Sequence, residues 1–246
     1  MRVLLVIPAL NEETALAGLL AEVRETQSAL PEHQIEVAVV DDGSTDRTAE
    51  VARAGGARVV RLCGNLGIGG AVQSGIRLAA REGFDCAVQV DGDGQHPPGE
   101  VAKLIAVATT GDKPDLVVGT RYRDKDNFRS TPLRRLGSWW LRVTLRVVGV
   151  RVSDPTSGFR LYGSRALRLF RDTYPYDFPE PESLAVARIA GLRIAEVPVV
   201  MRERQGGRSS IAGFSTFYYM FKVTIAILLT AVRVRRQIPE ETSDGT

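Results

Sequence analysis

Runs rich in Val, Ile and Leu at Arg2–Ile7, Ile35–Val40, Ala57–Arg61, Asp85–Val90 and Asp115–Gly119 are separated by stretches with helical character, and this alternation restricts the fold more than any other feature. Strand-length runs spaced by helix-length ones need crossover connections, which predicts βαβ units and a mostly parallel sheet. The run Asp85–Val90 alternates poorly between apolar and polar, as a strand covered on both faces does. Helices are expected from Asn11, read as an N-cap, to about Ala29, from an Asp46 cap through Ala54, over 71–81, and from the Pro97–Pro98 pair to about Ala108. Acidic or glycine-rich loops follow the strands at their C-terminal ends. They therefore converge on one edge, which is where open α/β sheets bind ligands.

The loop after the fourth run, VDGDGQ, has the most definite chemistry. Asp91 and Asp93 lie just past the strand, and Gly92 and Gly94 let the backbone curl so that both carboxylates can face one point. Gln95 can add a neutral oxygen. Such an all-oxygen set suits Mg²⁺ or Mn²⁺, although aspartates in a glycine-rich turn also serve simply to cap backbone groups. The loop GNLGIGG invites a dinucleotide reading, but the spacing of Gly67, Gly69 and Gly70 is not GxGxxG. Phosphate contact and a tight turn with close helix packing both stay open for it.

With 246 residues, 44% of them apolar, the chain can bury one large core or two small ones. The formal charge of +3 is unevenly spread: residues 121–160 hold ten Lys/Arg against three Asp, a local excess of +7 that implies an anionic ligand or surface. Cys63 and Cys86 form no CxxC pair and are expected as buried thiols in a reducing cytoplasm. The start, MRVLLVIPALNEE, reads as a first strand rather than a secretory leader.

Beyond residue 120 a helix is predicted over Leu133–Val150, with Leu133, Leu136, Trp140, Val143 and Val147 on one side. Arg134, Ser138 and Arg142 recur every four residues on another, a stripe that can grip a phosphate or stand as a solvated basic face. Trp139 and Trp140 beside these arginines suit a lipid headgroup boundary, and core packing accounts equally for one of them. DPTSGFRLY marks a turn into a short strand or helix, followed by FPEPES, a helix to Ala190 and a strand Leu192–Val199. In RERQGGRSS, glycine backbone and arginine charge suit a diphosphate. Residues 211–232 are the most hydrophobic stretch, but Lys222 divides it and Arg233, Arg235 and Arg236 follow, a pattern closer to an interfacial helix than to a span. A core helix is the alternative, and residues 237–246 read as a disordered tail.

Taken in order, VIPALNEE, DDGSTD, NLGIGGA, VDGDGQH, GTRY, DPTSGFR, EPES and RERQGGRSSI resemble the family 2 glycosyltransferases of GT-A fold. Within them the chain is most similar to the dolichyl- or polyprenyl-phosphate sugar transferases. The resemblance implies a Rossmann-like α/β catalytic domain over residues 1–210 and a membrane-associating helix over 211–236. It implies metal-dependent, inverting transfer of a hexose from a nucleotide diphosphate sugar, of the GDP-mannose or UDP-glucose type, to polyprenyl phosphate at the cytoplasmic face of the membrane. Pro8, Ala9, Glu12 and Asp42 would hold the nucleoside with support from Asp41. Asp91, Asp93 and Gln95 would bind the metal, and Arg204 and Ser209 the diphosphate. Arg121, Arg134 and Ser138 would grip the lipid phosphate, and Asp154 would lie near the anomeric carbon.

Ala9 and Leu10 replace a commoner Thr-Tyr, which leaves base selection open, and family members often continue into transmembrane helices. The expected partners are the nucleotide sugar, the polyprenyl phosphate and the membrane surface, with room for self-association or a small membrane-protein partner and none for nucleic acid. A transferase with a soluble or polysaccharide acceptor, a nucleotidyltransferase and a non-catalytic nucleotide-sugar or lipid-binding module are the competing readings.

Overall fold

The computed structural model describes residues 1–121, 132–202 and 220–230, leaving aside the side chains of 132–136. Its strands are β1 (Arg2–Ala9), β2 (Gln34–Asp41), β3 (Arg58–Arg61), β4 (Cys86–Gln89), β5 (Leu116–Thr120), β6 (Arg160–Gly163) and β7 (Ile194–Pro198). The helices are α1 (Glu13–Ala29), α2 (Thr48–Ala54), α3 (Gly67–Arg81), α4 (Val101–Thr109), α5 (Pro132–Val147), α6 (Ser164–Thr173) and α7 (Pro179–Ile189), and residues 220–230 are also helical. One seven-stranded sheet runs β3-β2-β1-β4-β6-β5-β7. All of its pairs are parallel except those of β6, which runs antiparallel to both β4 and β5.

Alternation along β1 explains the layering. Val3, Leu5 and Ile7 point into a cluster with Leu16, Leu19 and Leu20 of α1 and Leu104 of α4. Leu4 and Val6 point the other way, against Ala71, Val72 and Ile76 of α3. Both faces are covered, so continuous apolar runs were the right pattern for these strands. A Cβ on Gly75 would come within 2.2 Å of a Val6 methyl, so α3 lies closer to β1 there than any side chain allows.

Several local expectations are revised. The glycine loop at 67–70 is the first turn of α3, because the carboxylate of Asp42 receives the Leu66 and Gly67 N–H groups at 2.7 and 2.9 Å and starts the helix there. Asn11 does not cap α1: it has φ of 55° and its Oδ1 accepts the Thr45 N–H across the loop. The segment 164–173, not assigned from the pattern, is helix α6. Cys86 is buried, which pushes its thiol up to about 12, but Cys63 is exposed because it follows β3 at the edge of the sheet. Among the described side chains of α5, Leu141, Thr144 and Leu145 are buried, whereas Trp140, Val143 and Val147 face outward; the Leu133 and Leu136 side chains lie outside the described residues. Apolar residues surround this helix, so periodicity alone did not select the packed side.

Candidate functional site

The strand order reverses between β1 and β4, since β2 and β3 lie on one side of β1 and β4 on the other. Their C-terminal ends meet: the Gly92 N–H reaches the Pro8 carbonyl at 3.3 Å, and a Cβ at Gly92 would come within 3.0 Å of the same oxygen. Gly94 has φ of 77°, a left-handed turn in this loop that glycine allows. This is the crevice in which doubly wound sheets place ligands.

On one side of the crevice the 8–12 and 41–48 loops are stitched together. Asp42 donates its N–H to the Ala9 carbonyl, Asn11 donates its N–H to Ser44 Oγ, and Glu12 donates its N–H to Thr48 Oγ1. Asp41 is fully buried, with Oδ1 accepting the Ser44 N–H at 2.9 Å and Oδ2 lying 3.3 Å from Arg61 Nε. Pro8, Ala9, Asp41 and Asp42 are thus brought together at the ends of β1 and β2, with Glu12 just beyond.

The two loop aspartates are held differently. Asp91 Oδ1 accepts from Gln89 Nε2 at 3.0 Å, and the Asp91 N–H donates to His96 Nδ1 at 3.0 Å. That assigns the His96 proton to Nε2, on a ring stacked 4.9 Å from Phe159. Asp93 is buried, and its two oxygens accept the backbone and side-chain N–H groups of Gln95. Gln95 therefore presents its amide nitrogen to Asp93, and its Oε1 is the neutral oxygen it can offer a cation. A Cβ on Gly158 would lie 2.9 Å from Gln89 Nε2 and 3.3 Å from an Asp91 carboxylate oxygen, so bare backbone passes against this carboxylate. No cluster of three His, Cys, Asp or Glu forms a ready cage among the described residues. Two hard carboxylates without such a cage fit Mg²⁺ or Mn²⁺, which keep waters and take phosphate oxygens for their other positions.

The positively charged side of the crevice is built around an ion pair. Arg121 donates from Nε to Asp154 Oδ2 at 2.8 Å and from Nη2 to Asp154 Oδ1 at 2.9 Å, with Nη2 also reaching Thr156 Oγ1 at 2.9 Å. Asp154 is fully buried, so two residues expected at separate subsites form a single unit. Ser138 is partly exposed on α5, and its carbonyl accepts from Arg142 Nε. The Arg134 side chain, Arg204 and Ser209 lie outside the described residues.

Pattern reading missed several residues. Arg160 is fully buried, with its guanidinium donating to the carbonyls of Ser157 and Pro155 and to Ser183 Oγ. Glu180, at the start of α7, has its carboxyl pushed above the ordinary range, chiefly by burial; Arg160 opposes this, Asp91 adds to it and Arg121 opposes it more weakly. Glu196 on β7 braces the Asp154 loop, its Oε1 accepting from Ser153 N–H and Oγ at 2.7 and 2.9 Å. Tyr162 connects Gln89 to Tyr174 through buried hydroxyl contacts of 3.4 and 3.1 Å. A polar Gln or Arg beside apolar residues at the end of a strand was the available signal for Gln89 and Arg160.

Comparison with known proteins gives one consistent result. The family model described as Glycosyl transferase family 2 matches residues 4–170. An undecaprenyl-phosphate mannosyltransferase from Micrococcus luteus is 33% identical over 87% of this chain and 88% of that protein. A polyprenol monophosphomannose synthase from Mycolicibacterium smegmatis is 32% identical over 90% of this chain and 85% of that one. Among solved structures, glucosyl-3-phosphoglycerate synthase from Mycobacterium tuberculosis in complex with Mn²⁺ and uridine-diphosphate-glucose superposes with a TM-score of 0.67 at 26% identity, covering 98% of this chain and 80% of that chain.

Proposed function

Because the chain belongs to glycosyl transferase family 2 and has its GT-A fold, we propose that it transfers a hexose from a nucleotide diphosphate sugar to polyprenyl phosphate, with inversion, at the cytoplasmic face of a membrane. One observation carries this reading. The stretch Asp154–Gly158 begins at the ion pair with Arg121 and ends with its backbone against Asp91, so an anion-gripping arginine and a cation-binding carboxylate share one short loop. The relatives named for polyprenyl-phosphate substrates support the lipid acceptor.

Pro8, Ala9, Glu12, Asp41 and Asp42 would receive the nucleoside, and Arg204 and Ser209 the diphosphate. Asp91 and Asp93, with Gln95, would hold Mg²⁺ or Mn²⁺, which when bound would supply Lewis-acid neutralisation of the departing diphosphate. The acceptor phosphate, with a second pKa of about 6, is mostly dianionic at neutral pH. One of its oxygens attacks the anomeric carbon as the bond to the diphosphate breaks, and no strong base is needed. The protein's work is to hold two anions in line against their repulsion. Arg121, Arg134 and Ser138 would grip the acceptor. Asp154 serves this step by fixing the plane of the Arg121 guanidinium rather than by taking a proton.

Attachment at the membrane surface is consistent with helix 220–230, which exposes Phe221, Ile225, Leu228 and Leu229. No helix among the described residues is long and apolar enough to cross a membrane. The deciding assay offers a panel of nucleotide sugars with a short-chain polyprenyl phosphate and Mg²⁺ or Mn²⁺. Formation of the glycosylated lipid with release of nucleoside diphosphate is expected. Release of pyrophosphate would identify a nucleotidyltransferase, and transfer to soluble sugars alone would remove the lipid acceptor.

A further inference from the structure

An open cavity of about 530 Å³ lies behind the Asp154 loop, lined by Arg142, Arg146, Arg151, Val152, Ser153 and Glu196. It is separate from the Arg121–Asp154 pair, because Ser153 and Asp154 are tied to Glu196 on the cavity side while the Asp154 carboxylate is spent on Arg121. Arg146 and Arg151 are exposed and have no carboxylate partner among the described residues. Glu196, the acid in the cavity, directs Oε1 to Ser153 and Asp154 rather than to a guanidinium. Three guanidiniums against one occupied carboxylate make a concave cationic site, and guanidinium groups match phosphate oxygens in charge and geometry.

What lies beside the cavity identifies the ligand. With about 100° of rotation per residue, Arg142 and Arg146 occupy a row on α5 next to an arc formed by Trp139, Val143, Val147 and Trp140. That arc is exposed, with Val147 at 73% and Trp139 at 52%. The Trp140 Nε1–H donates to Thr224 Oγ1, so helix 220–230 runs alongside and its exposed Phe221, Ile225, Leu228 and Leu229 enlarge the apolar surface. An apolar surface edged by a basic cavity matches the boundary between acyl chains and headgroups. We propose that the Arg142–Arg146–Arg151 cavity is a second anion site that takes the phosphate headgroup of an anionic membrane lipid, with the exposed face of α5 and helix 220–230 seated in the bilayer boundary. It shares with the proposed function only the expectation of work at a membrane.

The test uses the full chain, without sugar donor or polyprenyl phosphate, so that its outcome is independent of glycosyl transfer. Co-sedimentation is measured with phosphatidylcholine vesicles, with and without phosphatidylglycerol. The unmodified chain is expected to prefer the anionic vesicles. Arg146→Gln and Arg151→Gln should each reduce that preference by about fivefold at low salt while leaving the melting temperature unchanged. Trp139→Ser should weaken binding to both vesicle types. An undiminished preference in the double Arg146→Gln/Arg151→Gln variant would overturn the cavity assignment. Millimolar inorganic phosphate should displace the chain from anionic vesicles more than salt does at equal ionic strength, and displacement no greater than that salt control would overturn the phosphate site. Unchanged binding by Trp139→Ser would overturn the seating of α5.

Discussion

At the β1–β2 end of the crevice, Asp42 caps the start of α3 with both carboxylate oxygens and Asp41 receives the Ser44 N–H, whereas at the β5–β7 end Arg121 is oriented by a buried Asp154 and further arginines line an open cavity. The first region uses acids to fix backbone, so its loops have their shape through hydrogen bonds within and between them before any ligand arrives. The second uses one buried acid to aim a cation and leaves other cations facing outward. For the proposed transfer between two anions, this asymmetry would separate tasks: the acidic end would shape a pocket and hold a cation, and the basic end would receive the second anion.

The largest effect should come from the shared border of the two regions. Asp93→Asn is expected to lower turnover by about 10³-fold, or about 4 kcal/mol, with an unchanged circular dichroism spectrum, because it removes a charged ligand without opening the core. Near-normal turnover, or normal turnover in excess chelator, would break the division of tasks at its centre. Next, Asp154→Asn should cost about 3 kcal/mol of stability, read by denaturant unfolding, and about 10²-fold in turnover, since it removes the buried charge that orients Arg121. A large rise in the Michaelis constant for the nucleotide sugar alone would place Asp154 in the wrong region.

Gln89→Leu should act through Asp91 and raise the metal concentration needed for half-maximal activity by about tenfold, with little change in turnover at saturating metal. Unchanged metal dependence would show that the Gln89 contact is structural only. The smallest effect concerns Glu182, whose carboxyl is pushed up mainly by burial while Thr230 of helix 220–230 donates to it and opposes the shift. A raised acid favours the folded state fully below its unfolded value of about 4.3, and that contribution is lost as pH rises through the higher folded value. The melting temperature of the unmodified chain relative to Glu182→Gln should therefore fall as pH rises from about 4, and a difference that stays flat or rises with pH would contradict this.

The strands of the acidic end and the loops that close them were legible from the chain alone, because these signals are local, but the bonds that tie its loops together span 24 to 36 residues and were not. Val- and Leu-rich runs closed by Asp-Gly loops specify strands and where they stop, whereas the Asp91–Asp93 spacing with Gly92 and Gly94 by itself leaves a cation site and a backbone-capping turn both open. The basic end was legible only as an excess of charge. Asp154 and Arg121 are 33 residues apart, and neither pattern nor propensity announces their ion pair. The antiparallel insertion of β6 between β4 and β5 brings Gly158 against Asp91 and places Asp154 on Arg121. The packed side of α5 was decided in the same way. Its apolar residues serve more than one face, and contact with neighbouring helices selected Leu141 and Leu145 for burial while leaving Trp139, Val143 and Val147 outside. Periodicity and turn chemistry act over a few residues and so can be read in order. Charge pairing across the sheet and the choice of a buried helix face depend on partners that only the folded chain brings together.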